Sequence, residues 1–291
     1  MPRIGFIGIG LMGLPLCQRL LNAGFPLTVW NRNLDKCRPL CALGARQAAS
    51  PARLAAETDV IFLCVSDSVA VQQVVSGQEG LLSALGSDQV VIDLSSIDPD
   101  VTRDLARQVQ AIGAHWVDAP VSGGVVGAEA GTLVIMAGGD GAIIDRVRPV
   151  LAPLSQRVTH MGPSGAGQVT KICNQLIVAA NAVLIAEAVA LAEKAGVDAS
   201  KLAPALAGGF ADSKPFQLLA PRMSMRHFTP VQWKVQTLLK DLDMANALAG
   251  RIASPSPLAQ SAAALMRQHG EAGHLADDLS SLILHFTNGK P

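Results

Sequence analysis

RIGFIGIGLMGLPLCQRLLNAGFPLTVWNRN, residues 3–33, changes its period twice. A short β-rich run, RIGFIGI, gives way to a helical pattern in LPLCQRLLNAG and then to a second β-rich run, PLTVW. At the first change stands G-x-G-x-x-G, made by Gly8, Gly10 and Gly13. In a strand–turn–helix setting the first glycine permits a tight turn and the second lets the backbone approach a pyrophosphate. The third lets helix and strand pack closely, with the phosphates at the helix N-terminus. Gly8, Gly10, Leu11, Met12 and Gly13 are therefore candidate cofactor contacts, the alternative being a glycine turn with no ligand.

Outward from this stretch the alternation continues. DKCRPLCALG reads as helix, and DVIFLCV, VVIDLSS, HWVDAPV, TLVIMAG and RVTHMG read as strands. Such alternation marks βαβ units on a mostly parallel sheet buried on both faces, so the expected architecture is a Rossmann-type doubly wound α/β domain. After Gly167 the strand patterns stop, and almost everything to Phe286 reads as helix. The division expected is a dinucleotide-binding domain over 1–163 and an all-α domain over 164–291. A helix starting near Gln168 and running to about Ala195, before Gly196, is long enough to link the two. It is apolar on nearly every side, which suits a buried spine or a subunit interface.

Composition narrows the ligand. The 291 residues are 49% apolar, with a mean hydropathy of +0.34, so the chain can bury a large core. Lys+Arg and Asp+Glu both number 23, leaving no global field for nucleic acid or an anionic membrane, and a small ligand is expected. MPRIGFIGIG is broken by glycines and has no cleavage pattern. The most apolar run, LIVAANAVLIAEAVALA (176–192), carries Asn181 and Glu187, so no membrane span is expected. The five cysteines, Cys17, Cys37, Cys41, Cys64 and Cys173, are odd in number and unpaired in spacing, which suits a reducing cytoplasm. Cys37 and Cys41 can share a helix face but lack further ligands, and the six histidines show no metal spacing, so no metal is expected.

At the end of the second strand an NAD enzyme places Asp or Glu to accept a hydrogen bond from the ribose 2′-hydroxyl. Here Asn31 is followed by Arg32. A neutral amide does not repel a 2′-phosphate, and a guanidinium fork binds it through two charge-assisted hydrogen bonds, so NADP is favoured over NAD. Against this, Arg32 is a solvated charge and Asn31 the cap of a helix starting near Leu34. The loops VSDS and SSIDP follow strand C-termini, where open α/β sheets bind ligands. Val65, Ser66, Asp67 and Ser96 are candidates for the nicotinamide end, although Ser and Asp serve equally as helix caps. In DAPVSGG, Ser122, Gly123 and Gly124 either offer N–H groups and a hydroxyl to a substrate carboxylate or form a simple turn.

GAGQVTKICNQ, residues 165–175, puts a lysine at the head of the most apolar run. On a helix Lys171, Asn174 and Gln175 share one face, while Cys173 points elsewhere. Burying an ammonium without partners is costly, so stability does not explain it. Snorkelling to water is one account. The other is acid/base catalysis, in which a partly desolvated Lys171 gives a proton to a carbonyl oxygen as hydride reaches carbon, with Asn174 positioning the substrate. Lys240 and Asp241, in LLKDLDMA, are either a solvated ion pair or a second cation that reaches the substrate or nicotinamide.

Six segments in order resemble the β-hydroxyacid dehydrogenases: GFIGIGLMG, DLSSIDP, DAPVSGG, AGTL, GAGQVTKICNQ and LLKDLDMA. The family includes 3-hydroxyisobutyrate dehydrogenase and tartronate semialdehyde (2-hydroxy-3-oxopropionate) reductase, and the resemblance covers nearly the whole chain. It implies that Lys171 is the catalytic lysine, that Ser122, Gly123 and Gly124 hold the substrate with Asn174 beside it, and that Lys240 completes the site. It also implies a dinucleotide-binding domain followed by an all-α domain, assembled as homodimers or homotetramers. KICNQLIVAANAVLIAEAVALAEKAGV and GGFADS look most like tartronate semialdehyde reductase, with 3-hydroxyisobutyrate, succinic semialdehyde and glyoxylate as the other substrates. Two departures stand out: Ser66 replaces a common proline, and Asn31-Arg32 replaces the acidic residue of NAD-using members. The lysine sets the chain apart from imine reductases of similar architecture. A 6-phosphogluconate-type decarboxylation would call for a longer helical domain, and a non-catalytic dinucleotide-binding scaffold would be expected to lose the proton donor.

Overall fold

The computed structural model describes residues 1–287. Nine strands form one sheet: β1 (Ile4–Ile7), β2 (Leu27–Trp30), β3 (Arg46–Gln47), β4 (Val60–Leu63), β5 (Val90–Asp93), β6 (His115–Asp118), β7 (Val121–Ser122), β8 (Leu133–Gly138) and β9 (Ser155–Gly162). The order is β3-β2-β1-β4-β5-β6-β8-β7, with β9 on β8. Pairing is parallel from β3 through β6 and between β8 and β9, and antiparallel where β8 meets β6 and β7. The Rossmann-type, mostly parallel sheet is present as expected.

The strands alternate between two cores. Phe6, Phe62, Ile92 and Val117 pack on one face, and Ile7, Ile61, Val91 and Trp116 on the other, all nearly inaccessible to solvent. A sheet apolar on both faces requires helices on both, which the crossover segments supply. Two expected elements are broken by prolines. HWVDAPV forms β6 and then β7 because Pro120, between them, has no N–H to give the ladder. DKCRPLCALG, expected as one helix, is a 3₁₀ turn over Leu34–Cys37 followed by a short α-helix over Arg38–Cys41. Pro39 near the start of the second piece cannot donate back to the first.

The chain divides into a compact unit over Met1–Lys171 and a second that begins at Ile172. Among the described residues the second contains no strand beyond an isolated bridge between Lys234 and Asp278. Its principal helices after the long one are Lys214–Ser224, Val235–Arg251 and Pro257–His269. Arg226 binds both carboxylate oxygens of Glu193 at 2.8 Å, joining the end of the long helix to the turn that follows Lys214–Ser224. The long helix itself spans Ala166–Lys194, 29 residues or about 44 Å. It is long and apolar enough to cross a bilayer by composition, yet Ala179, Ala182, Ala186 and Val189 along it are buried in the fold. The five cysteines are all free.

Candidate functional site

The cofactor candidates of the first unit gather at the C-terminal ends of four adjacent strands, β2, β1, β4 and β5, whereas Ser122, Gly123 and Gly124 stand at the end of β7 and Lys171 lies on the long helix. The glycine loop leaves β1 and enters the helix Gly13–Asn22. Gly8 has φ +103°, and a Cβ there would lie 2.2 Å from the carbonyl oxygen of Cys64. A Cβ on Gly13 would lie 2.0 Å from the carbonyl oxygen of Gly8, whereas one on Gly10 would meet nothing within 4 Å. Gly8 and Gly13 are thus consumed by closing the loop, and Gly10 leaves open space at its crest. No side chain caps the helix: Met12 is its N-cap and there is no acid in its first turn. Leu14 N–H bonds the Gly10 carbonyl at 3.0 Å and Pro15 has no N–H, so what the helix start offers a pyrophosphate is its positive dipole end with no acid beside it. Leu11 is 83% exposed on the rim. A dinucleotide fits here.

By contrast, other helices of this unit are capped by their own loops. Asp67 accepts from Ala70 N–H at 2.9 Å and Asp98 from Asp100 N–H at 2.7 Å. Asp67 is therefore a helix cap, and Ser66, exposed, donates to it at 2.6 Å. Ser96 is half-buried. Between β4 and β5, Val65 N–H donates to the hydroxyl of buried Ser95 at 3.0 Å, tying the two loops together.

Asn31 does not cap the turn at Leu34; Asn33 does, accepting from Asp35 N–H at 3.1 Å. The Asn31 side chain instead accepts from Ile9 N–H at 2.9 Å and donates to the Asn33 carbonyl at 2.9 Å. It fastens the glycine loop to the turn that carries Arg32. Arg32 is exposed and forms no ion pair with the described residues.

Ser122 ends β7, and Gly123 and Gly124 open the short helix Gly124–Ala130 with φ of +134° and +62°. Positive φ at both positions is a backbone reversal that glycine adopts without strain.

Lys171 lies on the second turn of the long helix and is half-buried. Asp118, at the end of β6 and fully buried, holds that helix start. One of its oxygens accepts from Gly165 N–H at 2.8 Å and the other from Gln168 N–H at 3.1 Å. The helix packs so closely on the strands that a Cβ on Gly167 would sit 2.3 Å from the Met136 carbonyl oxygen. Burial pushes the Asp118 carboxyl upward, against the lowering effect of the backbone N–H groups. Its register neighbour Asp93 is equally buried and pushed up to about 7, by burial first and by Asp118 in addition. Asp93 Oδ1 accepts from Ser95 N–H at 2.9 Å, and its Oδ2 has no partner among the described residues.

In the second unit the remaining candidates form a chain. Asn174 donates to Gln175 Oε1 at 2.7 Å, and Gln175 donates to Asp241 Oδ2 at 2.5 Å. Lys240 Nζ lies 3.3 Å from Asp241 Oδ1. The expectation of a solvated Lys240–Asp241 pair is corrected in one half: the lysine side chain is 43% exposed but the aspartate only 6%. Gln175 is buried as well. Among the described residues no cluster of His, Cys, Asp and Glu could hold a metal. His269 is buried against the Ser281 hydroxyl at 2.8 Å and stacked on His274, which in turn bonds Asp277 at 2.7 Å.

Sequence reading missed Asp118, Gln168 and Ser95 as organising residues and took Asp241 only as a partner of Lys240, although all four stood inside segments singled out for other members. The remaining signal, polar residues at buried helix positions, becomes visible only when their partners are known.

Residues 3–162 match the model of the NAD binding domain of 6-phosphogluconate dehydrogenase. Residues 165–286 match that described as NAD-binding of NADP-dependent 3-hydroxyisobutyrate dehydrogenase. The chain is 40% identical over 243 residues to 2-hydroxy-3-oxopropionate reductase of Escherichia coli K12, covering 84% of this chain and 82% of that one. Among solved structures it is similar to Mycobacterium tuberculosis 3-hydroxyisobutyrate dehydrogenase with L-serine, at TM-score 0.89 and 30% identity over 97% of this chain and 98% of the other. It is also similar to Psf3 in complex with NADP+ and 2-OPP, at TM-score 0.84 and 28% identity over 96% and 98%. On these matches, and with a glycine loop shaped for a nicotinamide dinucleotide, the chain belongs to the β-hydroxyacid dehydrogenase family of NAD(P)-dependent oxidoreductases.

Proposed function

We propose that the protein reduces a small aldehyde bearing a carboxylate, tartronate semialdehyde first among them, with NADPH. The observation that carries the proposal is the placement of Lys171 on a helix whose start is fixed, through Asp118, to the C-terminal end of β6, in the same parallel run of strands as β1, which bears the glycine loop. The bound nicotinamide supplies the hydride. Lys171 Nζ gives the proton that the developing alkoxide takes up, and recovers one from solvent. Ser122, Gly123 and Gly124 bind the substrate carboxylate through the hydroxyl and backbone N–H groups. Asn174, one turn beyond Lys171, and Lys240 are the other substrate contacts, their side chains steadied by Gln175 and Asp241. Gly8, Gly10, Leu11, Met12 and Gly13 receive the pyrophosphate end, and Val65, Ser66 and Ser96, with Lys240, the nicotinamide end.

The preference for NADP over NAD rests on Arg32, which is exposed with no ion pair among the described residues, and on the neutral Asn31 beside it. The choice of substrate rests on the 40% identity to 2-hydroxy-3-oxopropionate reductase. Self-association, as dimer or tetramer, is supported by Ile177, Leu184 and Leu191, which recur every seven residues along the long helix and are 59%, 60% and 69% exposed. We assign the protein to the cytoplasm on its free cysteines. The test is the absorbance of NADPH at 340 nm with tartronate semialdehyde, succinic semialdehyde and glyoxylate, and of NADP+ with 3-hydroxyisobutyrate. Fastest turnover with tartronate semialdehyde is expected. A faster rate with another member reassigns the substrate, and no turnover with any points to a non-catalytic dinucleotide-binding scaffold.

A further inference from the structure

We infer that Gln168 is a positioning residue that locks the loop Ser95–Ile97 to the helix turn carrying Lys171, an inference resting on the roles proposed above for Lys171 and Ser96. Gln168 is 1% exposed, and its amide binds one backbone segment at two points. Oε1 accepts from Ile97 N–H at 3.2 Å, and Nε2 donates to the Ser95 carbonyl at 2.8 Å. Two residues apart, that N–H and carbonyl point the same way, so the amide pairs with the loop as one strand edge pairs with another. The main chain of Gln168 is held separately, its N–H on Asp118. The residue is thus pinned to β6 by its backbone and to the loop after β5 by its side chain.

The loop on the far side of this link is itself tied onward. Ser95 N–H bonds Asp93, and the Ser95 hydroxyl receives Val65 N–H from the loop after β4. Lys171 follows Gln168 by three residues on the same helix, so the two side chains are neighbours on its surface. A shift of the Ser95–Ile97 loop is passed to the lysine turn through this buried amide. An apolar side chain of similar size would fill the volume but would strand a buried N–H and a buried carbonyl. The register between the two catalytic partners, proton donor and cofactor loop, is what the polar atoms add to packing.

Two variants test this. Gln168→Met keeps the volume and removes both hydrogen bonds. Its hydrogen exchange is expected to rise together in peptides covering 94–98 and 165–171, whether or not the wild type turns over any substrate. Where it does, kcat should fall about 10²-fold while cofactor affinity, read by NADPH fluorescence, changes by less than about threefold. The isotope effect with 4-deuterated NADPH should increase, which mere loss of folded protein would not produce. Gln168→Glu keeps the acceptor for Ile97 but sets a carboxylate oxygen against the Ser95 carbonyl, a clash that protonation turns into a hydrogen bond. Its activity relative to wild type should therefore recover between about pH 8 and pH 5.5, and that of Gln168→Met should not. Unchanged exchange at 94–98 in Gln168→Met, or a Gln168→Glu pH profile parallel to that of wild type, overturns the inference. The expected rise in exchange, in a protein whose wild type turns over nothing, would instead leave the lock standing and remove the proposed reaction.

Discussion

The two units hold polar groups ready by different means. In the first, the cofactor loops stand at the ends of four neighbouring strands, and side chains fasten loop to loop, Asn31 to Ile9 and Ser95 to Val65, or helix to loop, Gln168 to Ile97. In the second, the groups on offer are side chains on helices, each depending on the next through Asn174, Gln175, Asp241 and Lys240. A backbone cradle is broken by adding atoms where the chain closes on itself. A side-chain chain is broken by removing atoms, and the damage travels along it.

The largest effect should come from overfilling the cradle. Gly13→Val places atoms where the carbonyl oxygen of Gly8 lies 2.0 Å from the new Cβ, so the loop cannot close. Loss of measurable cofactor binding is expected, with a stability loss of about 1–3 kcal/mol by thermal or denaturant unfolding. Gly10→Ala, with open space at its Cβ, should leave the unliganded fold at wild-type stability and weaken only the cofactor, as read by NADPH fluorescence titration. Equal destabilisation by both would break the distinction between closing the loop and facing the ligand.

Next in size is Arg32→Asp. Exchange of a guanidinium for a carboxylate at the end of β2 should shift the ratio of kcat/KM for NADPH over NADH by about 10²-fold or more toward NADH. An unchanged ratio would show that Arg32 does not read the 2′-phosphate. In the second unit, Gln175→Leu removes the buried donor to Asp241 and should cost about 1–3 kcal/mol, measured by unfolding of the full chain. Asn174, the next member of the chain, loses its acceptor too, so KM for the substrate should rise while cofactor affinity stays put.

The smallest effects are those of pH, and the two units should respond with opposite sign. Burial holds the His269 imidazole down at about 4, below its unfolded value near 6.5. The unfolded chain thus takes up the proton first, so the stability contributed by His269 is complete above about pH 6.5 and is lost as pH falls toward 4. Asp93 is raised, to about 7. Here the unfolded chain releases its proton first, so its contribution is complete below about pH 4 and is lost as pH rises through 7. Hydrogen exchange of peptides from each unit across this range should show the first unit gaining protection, relative to Asp93→Asn, as pH falls. The second should lose protection relative to His269→Gln.

Local signals made the first unit readable. Gly8, Gly10 and Gly13 stand in one turn, and the strand runs alternate with helices at a fixed period, so fold class and cofactor loop followed from neighbours in sequence. The long helix was equally plain because its apolar run is continuous. What stayed hidden depends on distant partners. Asp118 lies 47 residues from Gly165, Gln168 lies 73 from Ser95, and Gln175 lies 66 from Asp241. DAPVSGG drew notice for its serine and glycines, while the aspartate at its head ties the lysine helix to the sheet. Spacing also drew notice to Asn31 but not to its partner, since nothing in sequence says that an amide at the end of β2 reaches back to Ile9.

Lys171→Ala removes the proposed proton donor. Single-turnover oxidation of NADPH by tartronate semialdehyde, followed at 340 nm beside a fluorescence titration of cofactor, should show a rate lower by about 10²- to 10⁴-fold with cofactor affinity unchanged. A rate within about threefold of wild type at equal cofactor occupancy would mean that the proton comes from elsewhere.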